Sequence, residues 1–264
     1  MTRFYATSTR LAELVERLSE RDLAVLVTLR RLGVASALQL ERIHFNDTDS
    51  RQRRRVLAKL IELRVIRRLD RRVGGVRSGS SGFIYSLDIA GQHLVDTGGR
   101  GRSRQPVTPG LAFLQHALDV SELYVRLKES ERAGDLELVE FDAEPACWRT
   151  YLGPHGRERV LKPDAYVVVA AGELEHHWFV EVDRATHGRT AFIRKLEDYR
   201  SYRSSGAEQE RLGLFPLVLI TVPGVGRYEA VVGWIGTIPS ASWPLFEVSQ
   251  YVSAVEAMTR SQAA

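Results

Sequence analysis

Cysteine is nearly absent from this chain of 264 residues, which contains a single one, Cys147. One cysteine excludes an internal disulfide and agrees with a reducing cytosol. No stretch approaches the roughly 20 consecutive apolar residues that a membrane span needs. The first residues also lack the apolar core of a signal peptide. We therefore expect a cytoplasmic protein that makes no use of a membrane.

Signatures of nucleotide and relaxase chemistry are missing as well. The chain has neither a Walker nor a Rossmann glycine pattern, and Gly224-Val225-Gly226-Arg227 lacks the setting of a phosphate loop. No histidine pair in the chain suggests a tyrosine-type relaxase site. Tyr199 and Tyr202 are therefore expected to pack a helix rather than to act as nucleophiles.

Charge is unevenly distributed along the chain, although the net charge is only +4. Residues 1–105 carry 21 Lys and Arg against 11 Asp and Glu, a balance of +10, and residues 106–264 carry a balance of −6. A basic half joined to an acidic half indicates that one domain meets a polyanion.

The basic half has the element order of a winged helix-turn-helix. Ser19 and Ser36 are expected to cap two helices. A third helix is expected from Ser50 to Leu63, followed by two strands around a Gly/Ser tip and a short helix over Ile89–Val95. In such a domain the third helix enters the major groove and the hairpin lies along the backbone. The predicted DNA-binding residues are Arg51, Arg53, Arg54, Arg55, Lys59, Arg67, Arg68, Arg71, Arg72 and Arg77.

A Gly/Ser/Arg/Pro-rich segment at 97–110 is expected to be a linker. It divides the chain into a winged helix-turn-helix domain over 1–96 and a mixed α/β domain over 111–264. Within the second domain, the apolar run Leu214–Val222 is expected to be a buried strand. Tyr228–Ile235 is expected to be a strand and Pro244–Met258 a helix.

Three acids are concentrated in the middle of the second domain. Asp164 follows Pro163 at the start of an expected strand, Ala165–Ala171, and Glu181 lies two residues before Asp183 on the next strand. Two like charges on one face of a strand need a positive partner between them. That partner is either a divalent metal, which prefers oxygen ligands, or a local base. Four bases are close in sequence: Arg184, Arg189, Arg194 and Lys195. Farther upstream, the alternating acids Glu140, Asp142 and Glu144 are expected to form a solvated stripe.

Pro-Asp followed by Glu-x on the adjacent strand resembles the PD-(D/E)xK restriction-endonuclease-like core, although Asp183 stands where that pattern has lysine. The string PDA…FVEVDRAT…KLEDYRSY resembles the replication-relaxation family of plasmids and mobile elements. The resemblance implies an αβββαβ second domain and a role in plasmid replication or DNA relaxation. It also implies Mg²⁺ held by Asp164, Glu181 and Asp183, with Lys195 on the following helix replacing the missing lysine as a catalytic residue.

Two functions remain open from the sequence. One is a DNA-binding protein of a plasmid or mobile element that acts in replication or DNA relaxation as an Mg²⁺-dependent nuclease or nickase. The other is a non-catalytic transcriptional regulator or replication accessory factor without a cofactor, whose degenerate nuclease-like domain serves dimerisation or partner binding. Double-stranded DNA is the partner in both, and a homodimer or a replication or mobile-element protein partner remains open.

Overall fold

A computed structural model of the chain describes residues 8–69, 82–95, 110–153 and 156–260. It divides into two compact units, Met1–Val125 and Arg126–Ala264. The described residues form a mixed α+β fold with three sheets. Nearly all of the predicted linker at 97–110, and the tip of the predicted hairpin, lie outside the described residues, so the linker stays a prediction.

Unit 1 is a set of helices packed on a small antiparallel sheet. Its elements are α1 (Ser8–Arg17), α2 (Glu20–Leu32), β1 (Ala35–Ser36), α3 (Ala37–His44), α4 (Ser50–Glu62), β2 (Ile66–Leu69), β3 (Ile84–Leu87), α5 (Ile89–Val95) and the first part of α6 (Leu111–Ala133). The strand order is β1-β3-β2, with both pairs antiparallel. Leu26, Leu29, Leu40 and Leu60 lie at the centre of its core.

The two predicted helix caps of this unit are confirmed. Ser19 accepts a hydrogen bond from the backbone N–H of Asp22, whose side chain accepts in return from the Ser19 N–H. Ser36 and Gln39 form the same reciprocal pair at the start of α3. Each pair satisfies two N–H groups that a helix start leaves without an intrahelical partner.

Unit 2 is built around a five-stranded mixed sheet. Its elements after α6 are β4 (Glu137–Ala143), β5 (Arg149–Leu152), β6 (Glu158–Leu161), β7 (Ala165–Ala171), β8 (Leu174–Val182), α7 (Arg189–Ser205), α8 (Ala207–Leu212), β9 (Leu217–Val222), α9 (Val225–Ile235), β10 (Phe246–Gln250) and α10 (Ala254–Thr259). The sheet order is β10-β9-β8-β7-β4, and β5 and β6 form a separate antiparallel hairpin. The pairs β4–β7 and β7–β8 are antiparallel, whereas β8–β9 and β9–β10 are parallel.

Two predictions for the end of the chain are wrong. Tyr228–Ile235, expected as a strand, belongs to helix α9, and the expected helix over Pro244–Met258 contains strand β10. The cause is topological, because β9 and β10 are parallel neighbours and a parallel pair needs a crossover, which is usually a helix. Val231 and Ile235 supply the buried side of that helix.

The core of unit 2 places α7 against the sheet. Phe192, Leu196, Tyr199 and Tyr202 all lie on its buried face, at the helical spacing that the sequence predicts. The prediction that the two tyrosines pack the helix is confirmed by their burial. Lys195 is on the same helix, so the packing of α7 determines where its ammonium group lies.

Candidate nucleic-acid interface and acid–lysine cluster

Helix α4 presents arginines to solvent at its N-terminal end. Asp49 caps the helix by accepting from the backbone N–H groups of Arg51 at 2.7 Å and Gln52 at 2.8 Å. Arg51, Arg54 and Arg55 are exposed, and their spacing of three and four residues puts them on one side of the helix. The opposite side is buried through Leu57 and Leu60.

The position of these arginines is not explained by helix stability. The N-terminal end of a helix carries partial positive charge, so cations there are unfavourable. The first turn of α4 has no acidic residue, and the carboxylate of the cap Asp49 already accepts two backbone N–H groups. An exposed cationic face at this end therefore fits contact with an external anion better than a purely structural role.

The other predicted DNA-binding residues within the described part of the chain have intramolecular partners. Arg53 is paired with Glu41, and the Lys59 Nζ lies 2.7 Å from Asp22 Oδ2. The Nε of Arg67 donates to the Ser86 hydroxyl at 3.1 Å, and the Arg68 guanidinium lies 4.2 Å from the centre of the Phe83 ring. Arg71, Arg72 and Arg77 lie outside the described residues.

Asp164 and Glu181 meet across the β7–β8 pair. The register Ala165↔Val180 extends one step to place Asp164 opposite Glu181, and the Asp164 N–H donates to the Val180 carbonyl at 3.0 Å. Both acids are buried, at 8% and 5% exposure. Asp164 Oδ2 accepts the backbone N–H of Val182 at 2.7 Å, which fixes one side of that carboxylate.

Helix α7 brings Lys195 and Tyr199 to this pair of acids. The Lys195 ammonium contacts Glu181 Oε2 and lies 3.9 Å from Asp164 Oδ1. The Tyr199 hydroxyl donates to Glu181 Oε1 at 2.5 Å. We call Asp164, Glu181, Lys195 and Tyr199 the acid–lysine cluster. The sequence predicted that Lys195 would join the first two acids, and the structure brings these three residues together.

Burial controls the protonation of the cluster. It raises the pKa of Glu181 to about 8, against the opposing effect of Lys195. It also raises the pKa of Tyr199, which the neighbouring Glu181 raises further. For Lys195, burial alone would lower the pKa, but the carboxylates of Glu181 and Asp164 outweigh it and the pKa is raised. The ammonium therefore stays charged, while Glu181 can hold a proton near neutral pH.

Asp183 is placed apart from the acid–lysine cluster. It follows the last residue of β8, and its two carboxylate oxygens accept from Arg227 Nε at 2.5 Å and from the Arg227 terminal nitrogen Nη2 at 3.1 Å. Its Oδ1 also accepts the N–H of Ala185 at 2.9 Å. A guanidinium that neutralises Asp183 thus comes from Arg227 on α9, which is distant from it in sequence.

Glu144 is a site residue that the sequence did not single out. The register Ala143↔Ala165 places it opposite Asp164, and its N–H donates to the Asp164 carbonyl at 3.1 Å. Its charge contributes to the raised pKa of Lys195. The alternation with Glu140 and Asp142 indicated a solvated stripe, and only the strand register distinguishes Glu144 from the other two.

Asp164 and Glu181 are the only protein carboxylates of the predicted metal site that the structure brings together. Among the described residues, no group of three or more His, Cys, Asp or Glu side chains could hold a metal ion. Mg²⁺ often uses only one or two carboxylates, completing its shell with water and substrate phosphates. The donor set therefore fits an ion that arrives with substrate, provided that Lys195 moves away from Glu181.

The sequence model of the replication-relaxation family matches residues 26–218, more than half of the chain. The chain belongs to the replication-relaxation family. Membership suggests a role related to plasmid replication. No curated protein matches the chain, and no solved structure matches it. Within the described residues of this family member, no helix is long and apolar enough to cross a membrane.

Proposed function

We propose that this replication-relaxation protein binds double-stranded DNA of a plasmid or mobile element through unit 1. The observation that carries the proposal is the exposed face of Arg51, Arg54 and Arg55 at the start of a helix whose first turn has no acidic residue. The order α2, α3, α4 and then the antiparallel strands β2 and β3 matches a winged helix-turn-helix, with α4 as the recognition helix. Arginine suits both phosphate contacts and the O6/N7 edge of guanine.

The test is duplex binding by the full chain as a function of salt. Replacing Arg51, Arg54 and Arg55 together with alanine removes three candidate phosphate contacts. The slope of log K against log salt should then become shallower by roughly 0.9 per lost contact.

A charge-matched control shows whether the change in slope comes from α4 itself or from the lower net charge of the protein. It removes three exposed arginines from elsewhere in the chain, namely Arg17, Arg203 and Arg260. This control should keep the wild-type slope. An equal loss of slope in both triple variants would mean that α4 is not the DNA surface.

A second function, Mg²⁺-dependent phosphodiester hydrolysis, is supported by the acid–lysine cluster. Apart from the β5–β6 hairpin and α8, the order α6, β4, β7, β8, α7, β9, with two antiparallel pairs followed by a parallel one, resembles the αβββαβ order of an endonuclease-like core. Asp164 and Glu181 would hold the ion, which would activate water and neutralise developing charge. Lys195 would then orient the attacking water or a phosphate oxygen, and Tyr199 would fix the Glu181 carboxylate.

The non-catalytic alternative is a regulator or replication accessory factor, and one observation favours it. The Lys195 ammonium already contacts Glu181 and lies near Asp164, so the protein itself places a positive charge where the metal would lie. Unit 2 would then serve dimerisation or the binding of a replication or mobile-element protein, with no cofactor.

Two measurements on the full chain distinguish the alternatives. If unit 2 hydrolyses phosphodiester bonds, millimolar Mg²⁺ or Mn²⁺ should raise the melting temperature by mass action and support nicking of supercoiled plasmid. Glu181→Gln should abolish both effects. With the accessory role, the melting temperature should not respond to metal and no nicking should occur.

A further inference from the structure

The β5–β6 hairpin has an outward face that the fold of unit 2 does not use. Its inward face is buried through Tyr151 and Leu161, and the Tyr151 hydroxyl contacts Ser201 of α7 at 3.2 Å. Side chains alternate across a strand, so the outward face carries the other residues. Trp148, Leu152 and Val160 are 37%, 67% and 42% exposed there. Large apolar side chains grouped on one exposed face indicate a binding surface rather than isolated surface residues.

A tryptophan and a lysine are paired at one end of this face. The ladder register Arg149↔Leu161 extends one step to place Trp148 opposite Lys162. The Lys162 Nζ lies 4.5 Å from the centre of the Trp148 ring, and Lys162 is exposed. An exposed cation–π contact is weak, so a stronger ligand can replace the ammonium on the ring.

The same end of the hairpin is joined to Asp164. Lys162 directly precedes Pro163-Asp164 in the chain, and Trp148 directly follows Cys147. The Cys147 thiol donates to the Pro163 carbonyl at 3.0 Å, which ties the two segments together in the buried layer. Trp148 and Lys162 are therefore each joined through one or two residues of the chain to this buried contact, which directly precedes Asp164.

We propose that Trp148 and Lys162 bind an unpaired nucleotide of a DNA strand on the outward face of the β5–β6 hairpin. Trp148 would stack on the base, and Lys162 would move from the indole to the adjacent phosphate. The inference deepens the proposed function, on which it rests, by naming the DNA form that unit 2 contacts. Two chemical features favour nucleic acid over an apolar protein segment at this end. One is the positive charge of Lys162, and the other is the π face of Trp148, which stacks with any base.

The test uses the full chain with three ligands: an oligothymidine of about ten nucleotides, an abasic strand of the same length, and a duplex. Oligothymidine should quench tryptophan fluorescence in the wild type and in Trp243→Phe, but not in Trp148→Phe. Trp243 is a matched control because it is 44% exposed and lies elsewhere in unit 2. Trp148→Ala should bind oligothymidine roughly tenfold more weakly.

Two further comparisons separate stacking from charge. The abasic strand has no base to stack on Trp148, and Trp148→Ala has no indole to stack on a base. The wild type should therefore bind the abasic strand no better than Trp148→Ala binds oligothymidine. Lys162→Met should make the salt slope for oligothymidine shallower by roughly 0.7, the contribution of one contact to a single strand. All four variants, Trp148→Phe, Trp243→Phe, Trp148→Ala and Lys162→Met, should bind the duplex like the wild type.

The outcomes also separate this inference from the proposed function. If duplex binding depends on Arg51, Arg54 and Arg55 but the thymidine and abasic strands bind equally well, the proposed function stands. Only the stacking role of Trp148 is then overturned. Binding of neither duplex nor single strand overturns both. A concentration-dependent dimer that Trp148→Ala disrupts would assign the outward face to a second copy of the chain and overturn the nucleotide site.

Discussion

Glu181 is a carboxyl group whose pKa is determined more by burial than by its cation. Three residues act on its protonation, Lys195, Asp164 and Tyr199, and the largest influence is the loss of solvent. A group with a raised folded pKa binds more protons in the folded than in the unfolded state. Its contribution to stability is therefore present below the unfolded pKa and is lost as the pH rises through the folded one.

The first prediction is that the stability of the protein falls as the pH rises through the folded pKa of Glu181. The unfolded pKa is near 4.5 and the folded pKa is about 8, so the melting temperature of unit 2 should fall between about pH 5 and about pH 8. Glu181→Gln should show a smaller fall, because an amide does not titrate. Thermal melting followed by tryptophan fluorescence measures the difference. Parallel curves for the two proteins would mean that Glu181 titrates near its unfolded value.

The second prediction concerns Asp183 and its partner. Asp183 and Arg227 are 8% and 14% exposed in their side chains, so removing one charge leaves the other buried. Asp183→Asn should cost about 3 kcal/mol of unfolding free energy. The double variant with Arg227→Met should recover part of that loss, since neither charge is then left unpaired. Denaturant unfolding of Asp183→Asn, Arg227→Met and the double variant measures the coupling free energy between the two residues.

A metal titration of the same variant decides whether Asp183 is a ligand. If Asp183 serves only Arg227, any rise in melting temperature with Mn²⁺ should survive in Asp183→Asn and disappear in Glu181→Gln. Loss of the rise in both variants would return Asp183 to the metal site that the sequence predicted.

At these positions the sequence was informative only where partners are close in the chain or share a motif. Asp164, Glu181 and Lys195 could be grouped because the strand pair and the following helix form one local unit. Arg227 could not be assigned to Asp183, because 44 residues separate them and the crossover helix that carries it was expected to be a strand.

Among the elements, α4 has the largest consequence for the proposed DNA binding. Its start and length follow from Asp49 as the cap and from the apolar spacing of Leu57 and Leu60, which the sequence contains. Its attachment to the rest of unit 1 does not follow from the sequence. Lys59 was expected to contact DNA, whereas the structure pairs it with the buried Asp22 of α2. A basic run alone cannot distinguish a phosphate contact from a helix–helix ion pair.

The third prediction tests this reassignment. Asp22 is 2% exposed and Lys59 is 40% exposed in its side chain, so Lys59→Met should cost about 1–2 kcal/mol, less than a fully buried pair. The salt slope for duplex binding should stay close to that of the wild type. Arg54→Ala provides the contrast, with wild-type stability and a shallower slope. The reverse pattern would return Lys59 to the DNA surface.

On the scale of the whole molecule, tryptophan and charge are both divided between the units. The four tryptophans, Trp148, Trp178, Trp234 and Trp243, all belong to Arg126–Ala264. Each unit also has its own hydrophobic core, centred on Leu26 and Leu60 in one and on Tyr199 and Phe179 in the other. The charge asymmetry and the division into two domains could be recognised without a structure, but the membership of each core could not be read in full, because it depends on which helices and strands pack together.

The fourth prediction follows from these two divisions. Units with separate cores need not unfold together, so equilibrium unfolding in denaturant should deviate from two-state behaviour. Tryptophan fluorescence should report only on unit 2, whereas far-ultraviolet circular dichroism reports on both. Lys59→Met, in unit 1, should therefore move part of the dichroism transition to lower denaturant and leave the fluorescence midpoint unchanged. Asp183→Asn, in unit 2, should move the fluorescence midpoint to lower denaturant. Coincident transitions that both variants move equally would instead show that the chain unfolds as one cooperative body.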